Sequence, residues 1–212
     1  MIKFIPDIVI HRSGLIGMKQ TVMWEKLSSG RIIGIERVNI EFSDPLSVES
    51  LSFSSDSEDS SWTLEYYGTI DSTLSDQEWK VKCHHRVRGV NTIQITHQLY
   101  LVRRNEKWMG HLDSCPLSFD TISDYVDISS TPFTNYFPIR AIDEDGSKYK
   151  YIPALYIQVP SLKVSFVEQY YEKIKQNEYA YKAVGSNRQY TIKTDKDNLT
   201  QSYDKLWERF TL

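Results

Sequence analysis

The chain has 212 residues, enough for one domain with a substantial core, because a β-rich chain of this length buries roughly 70% of its unfolded surface. Its net charge is −3 with the two signs interspersed, which excludes the basic patch of a nucleic-acid-binding protein. No window approaches the ~18 apolar residues of a membrane span, and the apolar start, residues 1–12, is a poor secretory signal. The two cysteines lack CxxC spacing, so we predict a soluble, cytoplasmic protein with free thiols; a disulfide between Cys83 and Cys115 is the alternative.

Alternation of apolar and polar residues predicts antiparallel strands through the first half of the chain. Residues 38–42, 62–70 and 79–87 alternate in this way, so each strand has one dry face. A turn signal at residues 89–91 precedes a further alternating run at 93–101, and together these segments predict a hairpin.

Residues 54–61, with the sequence Ser-Ser-Asp-Ser-Glu-Asp-Ser-Ser, interrupt this pattern. The tract supplies no apolar surface for burial, so we predict a mobile acidic loop between two strands of like character. Its serines also allow a second interpretation, a phosphorylated segment.

The second half of the chain predicts further strands. Residues 149–159 are apolar on both parities, as expected of a strand covered on both faces, and shorter strands are predicted at 162–166, 179–184 and 190–194. Apolar residues at helical spacing predict a short C-terminal helix that docks onto the sheet, namely Tyr203, Leu206, Trp207 and Phe210. Helical spacing near Val167 predicts one or two further turns of helix.

These elements predict a single, mainly β domain over residues 1–212 with its core in 21–210. No segment recurs at a fixed period and no long linker divides the chain. The fold class is therefore a large antiparallel sheet with a short C-terminal helix.

The proline-rich run from Thr131 to Arg140 is the most informative stretch for function. Pro132 and Pro138 fix the backbone dihedral φ near −65°, so we predict a rigid, non-helical path that sets the directions of Phe133, Asn135 and Arg140. The Arg140 guanidinium could bind a phosphate or carboxylate head group, or could instead be a structural partner of Asp127.

The remaining polar residues give weaker indications. Asp124 and Asp127 could form an acid–base pair or serve as turn residues. Cys83, His85 and His97 could meet across the hairpin, but hydrogen-bonded sheet histidines are far commoner than such a metal site, so we predict no metal and no cofactor. The sequence contains neither a GxSxG elbow nor a phosphate-binding loop, and we predict that the protein is not an enzyme.

The run Val126-Asp127-Ile128-Ser129-Ser130-Thr131-Pro132-Phe133-Thr134-Asn135, with Pro138-Ile139-Arg140 behind it, resembles the signature of the "Putative glycolipid-binding" family of bacterial proteins. Residues 22–25, 156–162 and the ending Tyr203, Leu206 and Arg209 also resemble that family. The chain departs from the family pattern at Tyr136 and Phe137, where smaller residues are more typical.

The resemblance implies a large antiparallel sheet that curls into a β-roll or half-barrel, as in bacterial lipoprotein carriers. We therefore hypothesise non-enzymatic binding of a lipid or glycolipid in the apolar concave face. The candidate ligand-binding residues are Asp127, Thr131, Phe133, Thr134, Asn135, Arg140 and Trp24. The alternative is a structural or protein-interaction module whose sheet is filled by its own side chains, with a homo-oligomer as a further expectation.

Overall fold

The computed structural model describes residues 17–57, 59–119 and 123–210, and within these residues the chain forms fifteen strands and one α-helix. The strands of the first half are β1 (Met18–Ser28), β2 (Arg31–Phe42), β3 (Leu46–Ser57), β4 (Ser60–Ile70), β5 (Gln77–Val87), β6 (Ile93–Arg104), β7 (Lys107–Leu112) and β8 (Cys115–Phe119). A short strand β9 (Tyr125–Ile128) precedes a 3-10 turn (Phe133–Asn135) and the helix α1 (Tyr136–Asp145). The remaining strands are β10 (Tyr149–Gln158), β11 (Lys163–Lys175), β12 (Glu178–Ala183), β13 (Tyr190–Thr194), β14 (Thr200–Tyr203) and β15 (Trp207–Phe210).

All fifteen described strands join one curled sheet that does not close, in the order β8-β7-β6-β5-β4-β3-β2-β1-β15-β14-β13-β12-β11-β10-β9. Neighbours are antiparallel except β9 and β10, which are parallel. Among the described strands no backbone ladder joins β8 to β9, and side-chain hydrogen bonds instead connect β7 and β5 to the residues just before β9. The Trp108 indole N–H donates to the Ser123 carbonyl oxygen at 2.8 Å, and the Gln77 amide donates to the Asp124 carbonyl oxygen at 2.7 Å. The predicted large curled antiparallel sheet is confirmed.

The alternating residues of the first half place one parity inside the curl. Val38, Leu64 and Val81 are buried on β2, β4 and β5, and they belong to one continuous hydrophobic cluster. The predicted hairpin is confirmed as β5 and β6, with Cys83 directly opposite His97. Apolar side chains on a single face of each strand therefore determine which way the sheet curls.

The inside of the curl is covered by residues 130–139, which we call the interior segment. Every residue in it is buried. Its rings contact strands from distant parts of the sheet, because Tyr136 lies 6.2 Å from Phe42 and Phe137 lies 6.4 Å from Trp79, measured between ring centroids. Phe133 stacks on Tyr136 at 6.0 Å. Where these three rings pack, the chain itself occupies the concave face that we predicted for an acyl chain.

The prediction of a non-helical path through the proline-rich run was wrong. Pro132 precedes the 3-10 turn, and Pro138 is the third residue of α1. A helix tolerates proline in its first turn, because the N–H groups there have no acceptor within the helix. The two prolines thus mark the beginning of a helix and do not prevent one.

Strand β10 is covered on both faces, as predicted. Ile152 packs with Ile139 and Ile142 of α1 in a second cluster, while Leu155 and Ile157 belong to the main core. Helix α1 therefore packs on the face of β10 that carries Ile152, and other residues of the main core pack on the face that carries Leu155 and Ile157.

A short helix is present among the described residues as α1, but its predicted C-terminal position was wrong. Residues 200–210 form β14 and β15, and β15 pairs with β1, where Trp24 lies opposite Arg209. The apolar residues follow helical spacing here because a turn lies between the two short strands. Trp207 on β15 is buried, and Leu206 in the turn is partly buried. The helical turns predicted near Val167 were also wrong, because β11 continues through this position.

The predicted loop at residues 54–61 is a hairpin between β3 and β4, in which Ser54 lies opposite Trp62. Ser52 and Ser54 are buried on the inner face, so serine here replaces apolar residues without ending the strand. The start of the chain, including the weak secretory-signal pattern at residues 1–12, lies outside the described residues. Among the described residues, no helix combines the length and apolar character needed to cross a membrane.

We expect Phe133→Ala to destabilise the fold by about 3–5 kcal/mol, because it removes a buried ring from the interior segment and leaves a cavity. Urea unfolding followed by tryptophan fluorescence would measure the change. Tyr149→Ala is the matched control: Tyr149 is 71% exposed, so its removal should cost less than about 0.5 kcal/mol. Equal, small effects of both variants would show that the interior segment does not hold the sheet together.

Candidate functional site

Most of the sequence-predicted site residues serve the interior of the fold. Trp24 is fully buried, and its indole N–H donates to the Thr200 carbonyl oxygen at 2.8 Å. The Thr200 hydroxyl in turn donates to the carbonyl oxygen of Pro132 at 3.2 Å. Trp24 therefore positions the interior segment and offers no surface to a ligand from solvent.

Asp127, Thr134 and Asn135 lie together at the junction of the interior segment and the second half of the sheet. The Asp127 carboxylate accepts hydrogen bonds from the Thr134 hydroxyl at 3.0 Å and the Gln169 amide at 2.6 Å. Burial raises the pKa of Asp127, and these two bonds oppose the rise. The Tyr171 hydroxyl donates to Asn135 at 2.9 Å. These contacts fasten the segment to β9 and β11.

Arg140 and the predicted carboxylate pair do not converge. The Arg140 guanidinium donates to Glu144 at 2.6 Å, one helical turn along α1. Asp124 instead pairs with Arg103, and Asp127 takes the partners given above. Neither Arg140 nor Asp124 therefore joins Asp127 in one site.

Thr131 leads to a buried carboxyl group that sequence reasoning missed. Its hydroxyl lies 3.1 Å from the Tyr66 hydroxyl, which donates to Glu36 at 3.0 Å, and the Ser50 hydroxyl donates to the same oxygen at 2.8 Å. Burial raises the pKa of Glu36 to about 7, and hydrogen bonds from Thr131, Ser50 and Tyr66 oppose the rise. The available signal was parity, because Glu36 shares the inner face of β2 with Val38.

The other face of the sheet carries a groove of about 970 Å³, built by β2 to β7. The strand register aligns one row of side chains across it, in which Tyr67 lies opposite Lys80, Lys80 opposite Tyr100, and Tyr100 opposite His111. Glu49 on β3 begins this row opposite Tyr67. We call this feature the outer groove. It contains none of the sequence-predicted site residues.

The outer groove combines aromatic rings with closely spaced charges. Lys80 forms an ion pair with Glu78 at 2.8 Å, and the hydrogen bond and charge of Glu78 raise the pKa of Lys80. The rings of Tyr100 and His111 lie 5.4 Å apart. Flat aromatic rings beside positively and negatively charged side chains, which form hydrogen bonds, are suited to a ligand that has many hydroxyl groups and one apolar face.

Exposed aliphatic and aromatic side chains border the outer groove on β2 and β3. Ile32, Ile35, Leu51 and Phe53 form this apolar patch, and each is between 43% and 56% exposed. They are contiguous because Ile35 lies opposite Phe53, two residues along β3 from Leu51, which also lines the groove. Clustered exposed apolar residues of this kind mark a surface that contacts another apolar body.

The predicted absence of a metal site stays a prediction. The described part of the chain contains no group of three or more His, Cys, Asp or Glu side chains that could hold an ion. Although Cys83 faces His97, the imidazole of His97 lies 3.0 Å from Asp113, and that of His85 lies 3.0 Å from the Ser60 hydroxyl. Cys83 and Cys115 are both free thiols.

We expect Glu36→Gln to remove a pH dependence of stability. The folded pKa of Glu36 is raised to about 7, so its contribution to stability is largest at low pH and is lost as pH rises through 7. The free energy of unfolding of Glu36→Gln, relative to the wild type, should therefore increase by about 2 kcal/mol between roughly pH 5.5 and 8.5. Urea titrations across this range would measure it.

Glu65→Gln is the control for that experiment, because Glu65 is exposed on β4. Replacing this exposed side chain should change the free energy of unfolding by no more than about 0.5 kcal/mol. Parallel pH profiles for Glu36→Gln and the wild type would mean that Glu36 does not titrate differently in the folded and unfolded protein.

Two solved structures resemble the fold. A DUF1089 family protein from Pseudomonas aeruginosa, with a crystal structure at 1.80 Å resolution, superposes with a TM-score of 0.65 at 24% identity, covering 88% of this chain and 95% of that one. A β-barrel-like protein of the domain of unknown function DUF1849 from Brucella abortus gives a TM-score of 0.56 at 8% identity, covering 91% of this chain and 95% of that one. Both likenesses support the barrel-like curl of the sheet.

No curated protein matches the chain. The family model described as "Putative glycolipid-binding" matches residues 21–209. That range includes both the interior segment and the outer groove. The chain therefore belongs to the "Putative glycolipid-binding" family, as the proline-rich run predicted.

Proposed function

We propose that the protein binds a glycolipid without chemical turnover, with the sugar in the outer groove and the acyl chain on the apolar patch. The observation that carries this proposal is the continuity of the two surfaces, because Leu51 belongs to both. An amphiphile has the same two-part chemistry. The family description supports the class of ligand.

This proposal moves the ligand from the concave face to the opposite face of the sheet. Phe133, Tyr136 and Phe137 cover the concave face with the chain's own rings, and an acyl chain there would have to displace them. On the outer face, each methylene that leaves water for the apolar patch contributes about 0.8 kcal/mol before ordering costs. A long acyl chain can therefore supply much of the affinity while the groove supplies selectivity.

Two further parts of the proposal concern chemistry and location. Binding without turnover is supported by the different partners of the two carboxyl groups, because Asp124 pairs with Arg103 while Asp127 accepts from Thr134. A cytoplasmic location agrees with the two free thiols, because reducing compartments keep cysteines unpaired.

We expect Tyr67→Ala to weaken binding of dodecyl maltoside by about tenfold, because it removes the exposed ring at the middle of the groove. Isothermal titration calorimetry below the micelle-forming concentration would measure the dissociation constant. Tyr170→Ala is the matched control, since Tyr170 is similarly exposed but lies on β11. Unchanged affinity in Tyr67→Ala would remove the outer groove from the binding site.

A protein-interaction module is the second candidate function, and a different surface favours it. Exposed aromatic side chains lie on β10 and β11, where the rings of Tyr151 and Tyr170 are 5.3 Å apart and Phe166, four residues along β11 from Tyr170, is also exposed. Large exposed apolar side chains of this kind are enriched at protein interfaces.

If this aromatic surface forms a homo-oligomer, Tyr151→Ser should shift the protein toward monomer in sedimentation velocity experiments. Tyr67→Ala serves as the control, because it changes an exposed tyrosine on the other half of the sheet. A wild-type protein that sediments as a monomer at high concentration would contradict the second candidate as a self-association surface.

A further inference from the structure

We infer that the outer groove selects an uncharged, hydroxyl-rich sugar and discriminates against anionic head groups such as phosphate or carboxylate. This inference rests on the proposed function and specifies the chemistry of the head group. It follows from how the strand register distributes charge across the groove.

The lining contains three basic side chains, Arg37, Lys80 and Lys82, and three acidic ones, Glu49, Glu65 and Glu78. Their formal charges cancel. The groove therefore has no excess positive charge to attract an anion, in contrast to the clustered arginines and lysines of phosphate-binding sites.

Each basic residue also has an acidic neighbour. Lys80 is paired with Glu78 at 2.8 Å, and Lys82 lies directly opposite Glu65. Arg37 is opposite Leu51 and so lies diagonal to Glu49, two residues along β3. Cβ atoms of opposed residues are about 4.5–5.5 Å apart and diagonal neighbours about 7–8 Å apart. All of these separations fall within the Debye length of about 8 Å at physiological ionic strength.

An anionic head group would meet a carboxylate beside every cation. To form an ion pair it must either displace that carboxylate or remain close to a like charge, and both options reduce the net gain. A sugar hydroxyl avoids this conflict because it both donates and accepts. It can donate to Glu49 or Glu65 while a neighbouring hydroxyl accepts from Lys82.

The aromatic side chains complete the match to a sugar. Tyr67 and Tyr100 flank Lys80 on adjacent strands, so their Cα positions are about 10 Å apart across the groove. The C–H face of a sugar ring can lie on a tyrosine ring while its hydroxyls reach the charged groups at either side. A phosphate has no such apolar face, so the rings contribute nothing to its binding.

The test compares dodecyl maltoside with dodecyl phosphate, which share one acyl chain and differ in the head group. Both are titrated by calorimetry below the micelle-forming concentration at physiological ionic strength. We expect the maltoside to bind at least about tenfold more tightly. The double variant Glu49→Gln, Glu65→Gln should reduce this preference at least fivefold by improving phosphate binding, while Glu172→Gln, a partly exposed residue of β11 outside the groove, should leave it unchanged.

The outcomes separate this inference from the proposed function. If dodecyl phosphate binds as tightly as the maltoside and Tyr67→Ala weakens both, the groove binds amphiphiles but the charge argument is overturned. If neither compound binds, the proposed function itself fails, and the inference fails with it. Free maltose is a further arm: binding as tight as that of dodecyl maltoside would show a sugar site that does not use the apolar patch, and would keep the head-group inference while overturning the lipid part.

Discussion

The structure depends on covering the inner face of one large curled sheet. A sheet that buries one face needs a second layer, and this chain has only one short helix within its described residues to supply it. The interior segment meets the requirement with consecutive buried residues and three aromatic rings. Because these rings touch both Phe42 and Trp79, they join strands that are three positions apart in the sheet.

Hydrogen bonds fix the interior segment at defined points along its length. Thr131 connects to Tyr66 and Glu36 on one side, whereas Thr134 connects to Asp127 on the other. Buried polar groups cost free energy unless they are paired, so each of these bonds also specifies where the segment can sit. The compensation at Glu36 is incomplete, because its second carboxylate oxygen has no hydrogen-bond partner among the described residues. The raised pKa of Glu36 is the electrostatic consequence of its burial.

Sequence reasoning found the sheet but not the layer that covers it. Alternation located β2, β4, β5 and β6, since a period of two is a direct consequence of strand geometry. It failed where local patterns have two interpretations. Pro138 can exclude a helix or occupy its first turn, and only the tertiary packing of Phe137 and Ile139 decides between them. Likewise, Trp207 follows helical spacing, yet pairing with β1 makes its segment a strand.

The candidate site was even harder to predict from the sequence than the layer that covers the sheet. Tyr67, Lys80 and Tyr100 lie on three different strands, and nothing in the sequence around any one of them indicates a site. Their alignment depends on register, which is determined by the apolar residues on the opposite face and by the turns. The residues singled out from sequence, such as Asp127 and Asn135, were instead informative because they anchor a buried segment. A distinctive sequence run can thus report structure as readily as ligand binding.

The pleat of the strands separates the two roles of this sheet. On β4, Tyr66 points inward and donates to Glu36, while the adjacent Tyr67 lines the outer groove. On β2, Glu36 and Arg37 are divided in the same way. Because neighbouring residues face opposite sides, selection for a filled interior leaves the outer parity free to vary in charge and aromatic content. Filling the concave face therefore does not argue against a binding function, because the same strand register that buries the inner residues aligns side chains from five strands in one row on the outer face.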